Sequence, residues 1–187
     1  MMDNTELFNK ELKKTQRAGI PDLIDYMEEG GFYTAPCSGA HHLAKEGGLL
    51  EHSLNVLDLA RKLNRAWGEP VNDISLVIVC LLHDLGKMGD HGKPNYVPNY
   101  LKDGTLSKAK PYVTNPDLPY IPHEARSYTI AERFIVLSEQ EEIAILYHNG
   151  LYGDFRYEIQ GKETPLYMIL HFSDMWASRV TEVEGGE

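Results

Sequence analysis

Between Leu49 and Trp67 apolar residues return every three or four positions, at Leu50, Leu54, Leu57, Ala60, Leu63 and Trp67. That spacing lays them along one stripe and predicts an amphipathic helix over 49–67, its stripe turned to a core. The next segment, 72–86, is apolar on most faces and is predicted to be the central helix, opened by Asn72 or Asp73 as N-cap and ended at Gly86. Shorter helices are predicted at 5–17, strongly charged, and at 20–29, with Pro21 in the first turn and Gly30-Gly31 as the stop. A loop through Pro36 and Gly39 joins the second of these to the 49–67 helix. Helices are predicted again over 123–137, 139–148 and 164–181, the last begun by Thr164 as N-cap with Pro165 in the first helical position. A Gly- and Tyr-rich loop precedes Thr164, and the Gly185-Gly186 tail is expected to fray.

Residues 88–122 break the helical pattern. Pro94, Pro98, Pro111, Pro116, Pro119 and Pro122 interrupt it, with Tyr96, Tyr100, Tyr112 and Tyr120 spread among them. A non-helical insertion of this length is usually functional or disordered. Within it, Asp103-Gly104 between apolar flanks predicts a small hairpin over Tyr100–Leu106.

The length, 187 residues, is that of one domain with a substantial core. The longest apolar run, Leu76 to Leu82, is too short to span a bilayer, and the polar, acidic start from Met1 to Glu6 carries no secretory pattern. Cys37 and Cys80 make no disulfide framework, so a reducing cytoplasm is the expected compartment. A net charge of −10 argues against a broad nucleic-acid face, because polyanion affinity comes mainly from Lys and Arg. Nucleic acid is expected only as a short single strand; the expected partner is a small phosphorylated molecule.

The candidate chemistry sits where the greasy segment stops, at His83-Asp84, followed by Leu85-Gly86-Lys87. An unpaired buried carboxylate costs several kcal/mol, and a divalent cation is one of the few partners that offsets it. Further candidate ligands recur at intervals of about one helix plus a loop: His52, His123, His148 and Asp174. Each has a plainer explanation. His123 can serve a helix start, and His148 and Lys87 suit helix C-termini through the dipole.

The order His52, His83-Asp84, Asp174 resembles the HD superfamily of metal-dependent phosphohydrolases. The added His123 and His148 are similar to its two-metal subset, which includes the HD-GYP phosphodiesterases. The string His41-His42 to Gly47-Gly48-Leu49-Leu50-Glu51-His52 is also similar to bacterial HD-type 3′→5′ exoribonucleases. The resemblance implies an all-α fold, a single HD-type helical domain with a long Pro/Tyr-rich loop or small hairpin insertion. Residues 1–40 would supply N-terminal helices and 41–181 the HD core. It implies one or two divalent ions on His52, His83, Asp84, His123, His148 and Asp174, with Asp84 shared in the two-ion case. His and carboxylate donors suit Mn, Fe, Co, Ni or Zn, and no cysteine is expected in the set. Asp84 and Lys87 are the implied catalytic residues, Lys87 facing the scissile phosphate.

Arg126 is a candidate phosphate clamp or else a surface partner of Glu124 or Glu132. His42, with His41, is placed to support the site or touch substrate, and Tyr112 among the loop tyrosines is a candidate stacking contact. His171, one turn before Asp174, is a candidate supporting residue, and His91 carries no expectation. The implied activity is hydrolysis of a nucleotide or related small phosphate ester. The rivals are a mixed-valent di-iron oxygenase, which some HD relatives build from the same ligands, and a non-catalytic nucleotide-sensing module.

Overall fold

Helix α4, Asp73–Leu82, is the axis of the fold in this computed structural model, which describes residues 3–153 and 156–183. Asn72 is its N-cap, its side chain accepting from the Ser75 N–H at 2.9 Å. Every residue from Leu76 to Leu82 is buried, as an all-round apolar helix must be. Around it pack α1 (Asn4–Lys14), α3 (Gly48–Ala66), α6 (Glu139–Tyr147) and α8 (Pro165–Trp176). Helix α2 (Ile20–Glu29) leans on α1, and α5 (His123–Glu132) on α6. One apolar core runs from Phe8 through these helices to Ala177. The fold is all-α, as expected, with only short strand pieces. The Gly185-Gly186 tail lies outside the described residues.

Three helix ends differ from the periodicity. Helix α4 stops at Leu82 instead of Gly86: His83 is still helical, but Asp84 turns out at φ −102°, ψ 12° into a 3-10 turn, Leu85–Met88. Gly86 is there for close approach to α5. A Cβ on it would lie 2.5 Å from the His123 carbonyl oxygen, and its N–H donates to Ser127 Oγ at 2.8 Å. Helix α5 ends at Glu132, since Ile135 and Leu137 turn into the core and the Leu137 N–H is taken by the Glu132 carboxylate. Helix α1 ends at Lys14, where the Thr15 hydroxyl bonds back to the Leu12 carbonyl. Past Trp176 the last helix widens into a π turn, Ala177–Thr181, and a short helix, α7 (Arg156–Ile159), occupies part of the expected loop.

The insertion is an ordered ribbon. Strand β1 (Gly89–Asp90) pairs antiparallel with β2 (Lys93–Pro94), and β3 (Tyr96–Pro98) with β4 (Tyr112–Thr114), Tyr96 opposite Thr114. The expected hairpin forms its tip, where Tyr100 bridges Leu106 around Asp103-Gly104. Buried Asp90 anchors the base: it accepts from Tyr26 at 2.5 Å and from Arg133 at 2.7 Å. Asn115 adds bonds to Asn95 and Pro94.

Candidate metal centre

Five helices deliver His52 (α3), His83 and Asp84 (end of α4), His123 (first residue of α5), His148 (end of α6) and Asp174 (α8) to one place. The rings form a chain, with centroids 5.3 Å apart for His52 and His83, 4.8 Å for His83 and His148, and 5.3 Å for His148 and His123. His52, His83, Asp84 and His148 are fully or almost fully buried.

The anchoring of the rings decides what they offer. His83 Nδ1 is 2.9 Å from the Cys80 carbonyl, His148 Nδ1 is 2.8 Å from the Ile145 carbonyl, and His52 Nδ1 is 2.9 Å from Glu182. A carbonyl or carboxylate demands an N–H, which assigns the proton to Nδ1 and leaves each neutral ring a lone pair at Nε2. Those three Nε2 atoms converge with two carboxylates. His52 Nε2 lies 3.3 Å from His83 Nε2, 3.5 Å from Asp84 and 3.2 Å from Asp174; His83 Nε2 is 3.4 Å from Asp84. Asp84 Oδ1 sits 3.3 Å from His123 Nε2 and 3.5 Å from His148 Nε2, yet it is buried and makes no hydrogen bond among the described residues.

Lone pairs facing one another in a dry site need a cation between them. Bonds of about 2.0–2.1 Å to a tetrahedral ion would put its ligands about 3.3 Å apart, which is the spacing seen here. His52, His83 and Asp84 offer one such donor set and Asp84, His123 and His148 another, meeting at Asp84; His83, His148 and Asp174 form a third between them. The residues present therefore fit a divalent metal.

The electrostatics carry the same demand. Burial alone would raise the Asp84 carboxyl, but Lys87 and the surrounding imidazoles hold it well below the usual carboxylate range. Burial likewise opposes charge on Asp174, and its bond to His52 keeps it low. His52 is pushed up against the effect of burial by Cys37 and by the carboxylates of Asp174 and Glu182, and His148 by Asp84, whereas burial keeps His83 down. Protons and metal ions compete for these positions.

The family model of the HD domain matches residues 49–174, from three residues before His52 to Asp174 itself. The chain belongs to the HD-domain family. Domains of this kind bind divalent metals and support hydrolase-type chemistry that depends on them. No curated protein and no solved structure matches the chain.

Around this HD cluster the remaining candidates take varied places. Lys87 Nζ is 2.6 Å from Asp84 Oδ2 and 3.9 Å from Cys37 Sγ, at the mouth of the cluster. A cysteine thus reaches the edge of the set after all, but burial pushes the Cys37 thiol up to about 11, leaving it protonated and a weak ligand. His42 bonds Cys37 at 3.3 Å, and burial lowers it to about 4, so its ring is neutral. His41 and His91 are exposed.

Arg126 corrects both of its expected roles. It is buried, donates to the Pro119 carbonyl at 2.7 Å and lies 4.0 Å from Asp90, so it pins the insertion, and its ion pair is with neither Glu124 nor Glu132. Tyr112 is half-buried and fixed through its N–H to the Gly39 carbonyl at 3.1 Å. The tyrosine that stands in the field of Lys87 and Asp84 is Tyr96, its phenol raised first by burial. His171 supports His148, bonding its carbonyl at 2.7 Å. Gly150, at φ +53°, must be glycine because a Cβ would lie 2.4 Å from the His171 ring.

Two supporting residues were not foreseen. Glu182, brought back by the π turn, orients His52 and is itself held by Asn55 at 3.0 Å. Asn149 bridges His123 and Glu124. Glu182 reads in sequence as one acid of a polar tail, and only Asn55, one turn after His52, hints at a buried polar neighbour.

Proposed function

We propose that this chain is a metal-dependent phosphohydrolase or phosphodiesterase acting on a nucleotide or a related small phosphate ester. The observation that carries the reading is the convergence of histidine Nε2 atoms on both oxygens of buried Asp84, whose Oδ1 has no hydrogen bond among the described residues and whose Oδ2 holds the ammonium of Lys87. His52, His83, Asp84 and Asp174 would hold one ion, and His123, His148 and Asp84 a second. Such an ion, when bound, supplies Lewis acidity toward a phosphoryl oxygen and toward water.

The chain's own part is positioning and charge. Asp84 holds Lys87 charged against the effect of burial, so an ammonium is preset where negative charge develops on a transferring phosphoryl group. Among the described residues no helix is long and apolar enough to cross a membrane. Two unpaired cysteines fit a reducing compartment, and we place the enzyme in the cytoplasm.

The test is a screen of mononucleotides, cyclic dinucleotides and short oligonucleotides with protein loaded with Mn, Fe, Co, Ni or Zn, paired with elemental analysis. Phosphate-ester turnover without dioxygen is expected. Metal-loaded protein that consumes dioxygen and hydrolyses no ester would replace this reading with the oxygenase one. Substituting His123 and His148 together with Ala is expected to lower the content from about two ions per chain to about one.

A further inference from the structure

Beside the metal cluster lies a cleft of about 560 Å³, walled by residues 40–45, by residues 108–111 of the insertion and by residues 178–183 after the last helix. His42 and Glu182 form its boundary with the cluster: the His42 ring is 5.2 Å from the His52 ring, and Glu182 bonds His52. Through Cys37 the same His42 leads to Lys87, so one pair of side chains lies between the cleft and the Lys87 ammonium.

The cleft runs against the charge of the chain. In a protein of net charge −10, Lys45, Lys108 and Arg179 line the cleft. The carboxylate in its wall, Glu182, is already committed to His52 and Asn55. Lys45 shares its charge with Glu51 at the exposed rim, 2.9 Å away. Arg179 rests over the Tyr152 ring, a contact that leaves its N–H donors available for an anion. The volume lies within the range of roughly 300–1,000 Å³ typical of small-molecule sites.

We infer that this cleft takes a second phosphate of the substrate. The preferred substrates are then phosphate esters that carry two phosphate groups, one set at the metal cluster and one held by Lys108 and Arg179. The inference rests on the phosphohydrolase reading and narrows it to a substrate class.

Phosphonates, whose P–C bonds resist hydrolysis, separate binding from turnover. Calorimetry on the metal-loaded protein compares methylphosphonate with α,ω-alkane bisphosphonates of increasing chain length. Exposed cation–phosphate pairs contribute a few-fold each, so wild type is expected to favour the best-fitting bisphosphonate by about tenfold. That preference should shrink as salt is added. The double variant Lys108→Ala/Arg179→Ala, both positions exposed, is expected to bind the two classes alike while keeping its metal content, its circular dichroism and its methylphosphonate affinity. A wild type without the preference at any chain length, or a double variant that retains it, overturns the inference. A preference that is present and lost in the variant, in a protein that turns over no phosphate ester, sinks the hydrolase reading and leaves the cleft as an anion site.

Discussion

Two buried polar regions of this chain are built on opposite principles. On the N-terminal side each buried acid is met by a base. Arg17 grips Glu141 with two bonds of 2.6 and 2.9 Å, and Arg61 spans Glu11 and Asp73 at 2.7 Å each. At the metal cluster, His52, His83 and His148 spend their N–H groups on outer partners and turn lone pairs inward toward Asp84, whose Oδ1 has no hydrogen bond among the described residues. The first region is electrically complete and ties α6 to the chain before α2. The second is complete only with a cation from outside. Buried polarity that closes on itself serves the fold; buried polarity left open serves binding.

The sharpest way to break this comparison is Asp84→Ala. It is expected to strip metal, abolish hydrolysis and erase the rise in melting temperature that metal gives the wild type, since a ligand binding only the native state stabilises it. Elemental analysis with and without thermal melting reads this directly, and a variant that kept both metal and turnover would mean the cluster is closed after all. Lys87→Met should lower turnover by about 10²–10³ with metal content and melting unchanged, the loss usual for one preset charge donor. If turnover does not change, Lys87 only neutralises Asp84.

On the complete side, Arg17→Met strands a carboxylate with no exposed side-chain surface and is expected to cost about 3 kcal/mol in denaturant unfolding, at the low end for a broken buried pair because Arg17 is itself 21% exposed. Its metal content should not move. Glu182→Ala is expected to weaken metal binding by about 10–100-fold, with Glu182→Gln recovering part of it, because the amide oxygen still accepts from His52 Nδ1. Equal affinity in all three proteins would make Glu182 a tail anchor only.

The smallest effect is one of pH. Burial raises the Glu141 carboxyl, but Arg17 and the Ser138 N–H hold it below the ordinary value of 4.5. A depressed folded-state pKa gives stability that is full above that ordinary value and is lost as pH falls through the lower, folded one. The stability gap between wild type and Arg17→Met should therefore narrow on acidification below about pH 4.5. A gap that held constant would show that the pair contributes through packing and not through charge.

Much of the cluster was legible in the chain because its residues occupy helix ends and stripes. The three-and-four spacing from Leu50 to Trp67 places His52 on α3, and the apolar run into His83-Asp84 marks where a buried helix delivers polar groups. Glu182 was not legible, since its partner His52 is 130 residues away and a tail glutamate has the composition of a solvated end. Arg126 was misread for a related reason. An arginine one turn into a helix near a histidine looks available, and only the path of the insertion shows that Pro119 and Asp90 claim it.

What the sequence by itself determined is therefore the longer helices and their local starts. Asn72 and Thr164 cap α4 and α8 by bonds to backbone three residues on, interactions that need no partner from elsewhere. The tertiary structure decided where α4 turns and which polar groups stay open. Gly86 admits α5 to within contact of the α4 end, the chain turns at Asp84, and a widened last turn returns Glu182 to His52. Capping and periodicity act over three or four residues, so they can be read along the chain. Close approach and the pairing of a buried charge join segments up to 130 residues apart, and they exist only once those segments pack.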